Sequence, residues 1–193
     1  MLQFDGNGMI RIRAYSGSVM KILLIYPYFI ESRVLTIEDV RTVPLGVYFV
    51  AAVLKAADYD VEILNWHDIN ATPDKIQQIL KDKKPDVIGF SILHANRWGG
   101  LEIARAAKQI DPRITVVFGG VGATFLWEHF LIHFSQVDYV VIGEGEYTFL
   151  NLVRHLESGH PGAIISLKGL AFRNDGRPIR TADAAPITPL DDL

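Results

Sequence analysis

Two glycine clusters carry the first chemical signal in this 193-residue chain, Gly119-Gly120-Val121-Gly122 and Gly143-Glu144-Gly145-Glu146. Glycine lets a broad, flat ligand approach the backbone with no side chain between them, and the uncovered N–H groups can bond its polar edge. Tight strand-to-helix turns use the same residue, so the clusters by themselves leave both readings open. Upstream, Ser91-Ile92-Leu93 supplies a small hydroxyl, followed by His94, Asn96, Arg97 and Trp98. A hydroxyl can bond a buried polar base, and absent side chains leave volume for it. Glu144 and Glu146 suggest a paired-carboxylate site, but they fall at a helix start, where acidic residues complement the dipole, and this favours capping. His129 and His133 share the i, i+4 spacing of a metal pair without the glutamate that would support it. With Trp127 they read as packing or solvent-facing groups on a helix.

Several chemistries are excluded by what is missing. There are 0 cysteines, so no disulfide, thiolate zinc site or protein-held iron–sulfur cluster can form within these residues. No Gly-x-Gly-x-x-Gly and no Gly-Lys-Ser/Thr follows the first strand, which ends Tyr26-Pro27-Tyr28-Phe29-Ile30. A dinucleotide fold or a P-loop needs one of these at that point. The hydroxyl-rich phosphate loop of flavodoxins is absent there too. Asp86 opens the third strand rather than closing it, so it does not match a phosphotransfer aspartate. A net charge of -3 without a Lys/Arg cluster argues against nucleic acid. No uncharged run nears the roughly 20 residues of a membrane helix, so the expectation is a cytoplasmic protein with neither a nucleic-acid nor a membrane partner.

The elements that position these residues follow from hydrophobic patterning. Lys21 to Pro27 is short and apolar, as in a strand covered on both faces. Pro44 opens a helix with Leu45, Tyr48, Phe49, Ala52, Val53 and Ala56 at helical spacing. Strand and helix then alternate: 60–66 and 73–81, 87–93 and 97–110, 114–118 and 123–134, 137–142 and 147–157. This predicts an α/β fold, a doubly wound five-stranded parallel sheet of flavodoxin-like or Rossmann-like type with right-handed crossovers. Its ligand edge is the carboxyl end of the strands. The loops there are Tyr28 to Val43, His94 to Asn96, Gly119 to Gly122 and Gly143 to Glu146. The first is long for such a turn, with Tyr28, Phe29 and Val43 as a candidate apolar wall and Glu31, Arg33, Glu38 and Arg41 as solvated charges.

Residues 1–19 have isolated apolar positions only and read as a poorly ordered leader, with Met20 as the natural start. Residues 20–160 form the α/β domain. Residues 161–193 form a small C-terminal β-hairpin extension, turning at Asn174-Asp175-Gly176, and a linker.

The order of these motifs resembles the amino-terminal, cobalamin-binding domain of radical S-adenosylmethionine proteins, the class that includes the anaerobic magnesium-protoporphyrin monomethyl ester cyclases. The resemblance runs from about Met20 to Leu193. It rests on Pro44-Leu45-Gly46, Pro85-Asp86-Val87-Ile88-Gly89-Phe90-Ser91, Val117-Phe118-Gly119-Gly120 and Asp138 to Glu146. Lys168 to Gly176 and Leu190 to Leu193 resemble the bridge into a following radical domain. Ser91 and Leu93 match a Ser-x-Leu element and Gly119-Gly120 a Gly-Gly element. In that family both surround the nucleotide tail of the cofactor, in a slot between strands and crossover helices.

The resemblance implies cobalamin as cofactor. It also implies, in a full-length protein, a [4Fe-4S] cluster and S-adenosylmethionine on a following domain whose cysteine triplet this chain lacks. Expected cofactor contacts are Tyr28, Pro44, Ser91, Leu93, His94, Asn96, Gly119, Gly120, Val121, Gly122, Gly143, Glu144, Gly145 and Glu146, with no catalytic residue and no metal ligand in this segment. His94 can face the corrin or an axial cobalt position, although a polar loop residue is the favoured reading; Asn96, Arg97 and Trp98 can meet propionamides or form a cap and surface turn. Better-known cobalamin domains carry an Asp-x-His-x-x-Gly loop after the first strand; residues 28–43 hold no histidine, so no cobalt ligand is expected from that loop. The implied activity is a methyltransferase or cyclase, including tetrapyrrole or bacteriochlorophyll synthesis. The alternatives are a nucleotide-sugar or flavin-binding enzyme domain, or a cobalamin-dependent sensor without catalysis.

Overall fold

A computed structural model of the chain describes residues 20–28, 44–65, 72–159 and 161–188. The expected leader and nearly all of the Tyr28 to Val43 loop, Phe29 and Val43 included, lie outside the described residues. Strands β1 (Lys21–Tyr26), β2 (Asp60–Asn65), β3 (Val87–Ser91), β4 (Thr115–Gly119) and β5 (Tyr139–Val141) alternate with helices α1 (Leu45–Ala56), α2 (Pro73–Lys83), α3 (Arg97–Ile110), α4 (Val121–His133) and α5 (Glu146–Ser158). A short 3-10 turn, Pro161–Ser166, leads to β6 (Leu170–Asn174) and β7 (Arg177–Arg180).

The strand order is β2-β1-β3-β4-β5-β6-β7. The first five strands are parallel, as alternation with helices demands. The hairpin does not stand apart from them. β6 pairs antiparallel with β5, and β7 with β6, so the sheet is mixed and seven-stranded. The two-residue turn at Asp175 (φ 49°) and Gly176 (φ 75°) has the backbone twist that matches such a hairpin.

Period-two alternation sends successive side chains to opposite faces. Leu23, Ile25, Ile88, Phe90, Val116, Phe118 and Val140 pack with residues of α2, α3 and α4. Ile22, Leu24, Val87, Val117, Tyr139 and Val141 pack with residues of α1 and α5. Among the described residues, three α-helices therefore cover one face and two the other.

The inner face of α1 differs from the expectation. Val47, Ala51 and Leu54 are buried, whereas Leu45 (62% exposed), Tyr48 (46%) and Phe49 (41%) face outward. Lys55 is the one charged residue of Leu45–Ala56; with apolar groups nearly all round, periodicity cannot choose a side. The same holds for α4, whose Phe125 is 80% exposed.

At the amino edge of the sheet the Asp138 carboxylate accepts hydrogen bonds from Lys108 Nζ at 2.6 Å and from the Val116 amide at 2.7 Å. Lys108 Nζ also reaches the Ile114 carbonyl at 2.6 Å, and Arg173 donates to the Val137 carbonyl at 2.7 Å. Burial pushes the Asp138 carboxyl above its usual range, and Lys108 opposes that shift. The group joins α3, β4, β5 and β6 at the end remote from the ligand loops. Lys108→Met leaves the carboxylate buried without its cation, and the expected loss is about 3 kcal/mol of unfolding free energy, read by urea denaturation.

Candidate functional site

Because α1 and α5 lie on the face with only two helices, the sheet beneath their seam is open at its carboxyl end. A cavity of about 160 Å³ lies there. Its walls are Gly46, Val47 and Val50 of α1, Phe149 and Glu146 of α5, and the turn Gly143-Glu144-Gly145. Its floor is Leu24, Gly89, Phe90, Ser91, Val117, Gly119, Gly120 and Val141.

Register explains the floor. Ser91 pairs with Gly119 across β3 and β4, and each lies two residues beyond a position, Gly89 or Val117, on the α1/α5 side. At Gly119 an added Cβ would have room, 3.7 Å from Val141 Cβ. At Gly120 it would lie 3.0 Å from the Ile92 carbonyl and 3.4 Å from Ser91 Oγ, on a backbone with φ 85° that L side chains rarely adopt. Deeper down, Leu24 Cδ2 and Phe149 Cε2 would each stand 2.7 Å from a Cβ at Gly89. These two side chains meet over the missing one and close the bottom of the slot.

Seven of the residues singled out from sequence are thus brought together: Ser91, Gly119, Gly120, Gly143, Glu144, Gly145 and Glu146 line one cavity. The other seven are placed elsewhere. Asn96 is fully buried, and its side chain is spent within its own loop, accepting from the Leu93 amide at 2.7 Å and donating to the Ser91 carbonyl at 3.2 Å. Leu93 is thereby fixed in the β3 exit. Gly122 donates to the Ile92 carbonyl at 2.9 Å and lets α4 start hard against that exit. Val121 is 55% exposed at the head of α4. Tyr28 is buried among the α2/α3/α4 residues with its hydroxyl donating to Glu102 at 2.6 Å. Pro44 precedes α1 and its carbonyl accepts from Val47. His94 is exposed, its carbonyl bonded by Arg97, whose guanidinium lies 5.0 Å from the Trp98 ring centre.

The glutamates part company. Glu144 Oε2 accepts from the Ile187 amide at 2.5 Å, holding the segment that leaves β7 against the β5–α5 turn. Glu146 is 8% exposed, and its Oε2 has no hydrogen-bond partner among the described residues. The residue at the α5 N-cap is Gly145, which makes no side-chain cap bond. The exposed His129 and His133 rings lie 4.7 Å apart. No group of three His, Cys, Asp or Glu suited to a metal occurs among the described residues.

Gly89, Phe149, Val47 and Val50 were missed from sequence. Gly89 had a usable signal, since glycine inside a buried strand marks a close approach. The other three have none, because their place depends on which way two helices lean.

The cavity is smaller than the roughly 300 Å³ of a pocket that encloses a whole ligand. It takes one inserted group and leaves the rest of the ligand on the rim. Its lining is apolar apart from Ser91, Glu144 and Glu146. That combination fits the nucleotide tail of a corrinoid: glycines make room for the base, the Ser91 hydroxyl can bond a ring nitrogen, and a buried acceptor awaits a donor.

Comparison with known proteins bears on the family and the fold. Residues 39–153 match the family model described as B12 binding domain. An uncharacterized methyltransferase, PH0819, of Pyrococcus horikoshii is 32% identical over 181 residues, covering 90% of this chain and 39% of that protein. The anaerobic magnesium-protoporphyrin IX monomethyl ester cyclase of Rubrivivax gelatinosus is 30% identical over 151 residues, covering 77% of this chain and 27% of the cyclase. This chain thus spans well under half the length of either relative. Among solved structures, the cobalamin-dependent S-adenosylmethionine radical enzyme OxsB with aqua-cobalamin and S-adenosylmethionine bound superposes with a TM-score of 0.71 at 19% identity, over 88% of this chain and 23% of that one. This likeness shows a shared fold. With more than half of its length, residues 39–153, matched by that model, the chain belongs to the B12 binding domain family.

Proposed function

We propose that this domain holds cobalamin for a radical S-adenosylmethionine methyltransferase or cyclase, with the nucleotide tail in the α1/α5 slot and the corrin over the carboxyl edge. The glycine-lined cavity carries the reading. Ser91, Gly119 and Gly120 would surround the tail base, and Gly143 to Glu146 would form the lip. Bound cobalamin supplies a cobalt centre able to accept and pass on a methyl group; the protein supplies the cradle and excludes water from the tail. Residues 20–160 make up the binding domain, and 161–193 would lead to a following domain that holds the [4Fe-4S] cluster and S-adenosylmethionine. The relatives' greater length and printed activities support this. A thiolate-held cluster in a following domain would favour a reducing compartment, which supports a cytoplasmic location for the whole protein. Tetrapyrrole ring closure is one activity in range, through the likeness to the cyclase.

The 193-residue chain is expected to take up hydroxocobalamin at micromolar concentration, followed by its visible absorption. Gly119→Leu puts a side chain into the slot at a position where the backbone has room for it. It is expected to weaken uptake at least about tenfold while the chain stays folded; unchanged uptake, or preferential flavin or nucleotide binding, would refute the proposal.

The bound cobalt should lack a protein imidazole on its lower face, because residues 28–43 contain no histidine. The expected spectrum is that of base-off cobalamin, and nitrogen splitting in the electron paramagnetic resonance of the bound cobalt(II) form would contradict it.

A further inference from the structure

Of the two glutamates that line the slot, Glu146 is the one with a carboxylate oxygen lacking a partner among the described residues. Its neighbour Glu144 is engaged with the Ile187 amide. Glu146 is 8% exposed, lines the cavity, and keeps Oε2 unpartnered among the described residues. A buried acceptor with no donor destabilises a fold, and the gain from an acid in the first turn of a helix is the smaller of the two effects. The position therefore opposes stability in the ligand-free chain, unless the missing partner arrives with the ligand.

We infer that Glu146 is a specificity determinant of the slot: its carboxylate accepts a hydrogen bond from a neutral N–H or O–H donor of the bound corrinoid. The inference rests on the cobalamin reading above and adds the polarity of the group recognised. A carboxylate at this point repels an anion, so the phosphodiester of the tail is directed away from α5. Two donor types on the cofactor remain, the ribose hydroxyls of the tail and the carboxamides of the ring. Ser91 can donate through its hydroxyl while Glu146 accepts, so the slot offers opposite hydrogen-bonding characters on β3 and α5.

The test compares the unaltered chain with Glu146→Met and Glu146→Gln in equilibrium titrations with hydroxocobalamin and with dicyanocobinamide, which lacks the nucleotide tail. Thermal unfolding of each ligand-free chain is measured in parallel. Glu146→Met is expected to bind cobalamin about ten- to a hundredfold more weakly, yet to unfold at the same or a higher temperature without ligand. Glu146→Gln keeps a neutral carbonyl acceptor and is expected to fall between the two in affinity. Glu128→Met, at an exposed position of α4, is expected to change neither quantity. Weakening confined to cobalamin identifies a ribose hydroxyl as the donor, and equal weakening for both corrinoids identifies a ring carboxamide; either supports the inference. A Met variant that binds as tightly as the unaltered chain, or that unfolds at a lower temperature or fails to fold, overturns it while leaving cobalamin binding by the unaltered chain in place. Failure of the unaltered chain to bind any corrinoid removes both readings together.

Discussion

A five-stranded parallel core with three helices on one face and two on the other cannot be closed evenly, and the rest of this molecule is arranged around that shortage. α1 and α5 must cover the same strands that α2, α3 and α4 cover from behind. Over most of the sheet they succeed, because Ile22, Val87 and Tyr139 are buried in one cluster with residues of α1 and α5. At the carboxyl end of β3 and β4 no bulky side chain is offered, and the seam becomes a slot. Bulk at Gly119 would fill it, and a side chain at Gly120 would strain the turn that shapes its rim.

The two ends of the sheet divide the work. At the amino end, Lys108, Asp138 and Arg173 bind α3, β4, β5 and β6 with charge-assisted bonds between partly buried groups. Such a clamp has its bonds satisfied within the fold. At the carboxyl end, polar capacity is held open in the Glu146 oxygen that has no partner among the described residues, and space is held open at Gly119 and Gly120, which carry no Cβ. A close-packed core has low compressibility, so a fold that is rigid at one edge can keep the other incomplete without collapsing on itself. Glu144 adds a mechanical link by fixing the strand exit at Ile187 to the same turn that forms the lip of the slot. The segment that follows β7 therefore runs beside the lip of the slot.

This segment presents few polar groups at its slot. Without cysteine it has no means to bind an iron–sulfur cluster, and its described histidines are grouped in no metal site. What it has is shape, a hydroxyl and two carboxylates in an apolar slot. Under the proposed function, those would hold and orient the cofactor.

Strand and helix order, the parallel sheet and the hairpin turn were readable from sequence. Their causes are local: buried strands have continuous apolar runs, prolines open helices at Pro44 and Pro73, and Asp175-Gly176 suits only a tight twisted turn. The glycine clusters and Ser91 were readable as ligand-edge residues for the same reason, since parallel topology alone sends them to one end. Tertiary structure alone decided that β6 and β7 extend the sheet, because nothing in a hairpin's own residues names the strand it will join. It alone turned Val47 inward and Phe49 outward on a helix apolar nearly all round. It also separated Asn96, Gly122 and Tyr28 from the slot and Glu146 from Glu144. Side-chain type states which hydrogen bonds a residue can make, and only packing settles whether its partner is the fold itself or a guest.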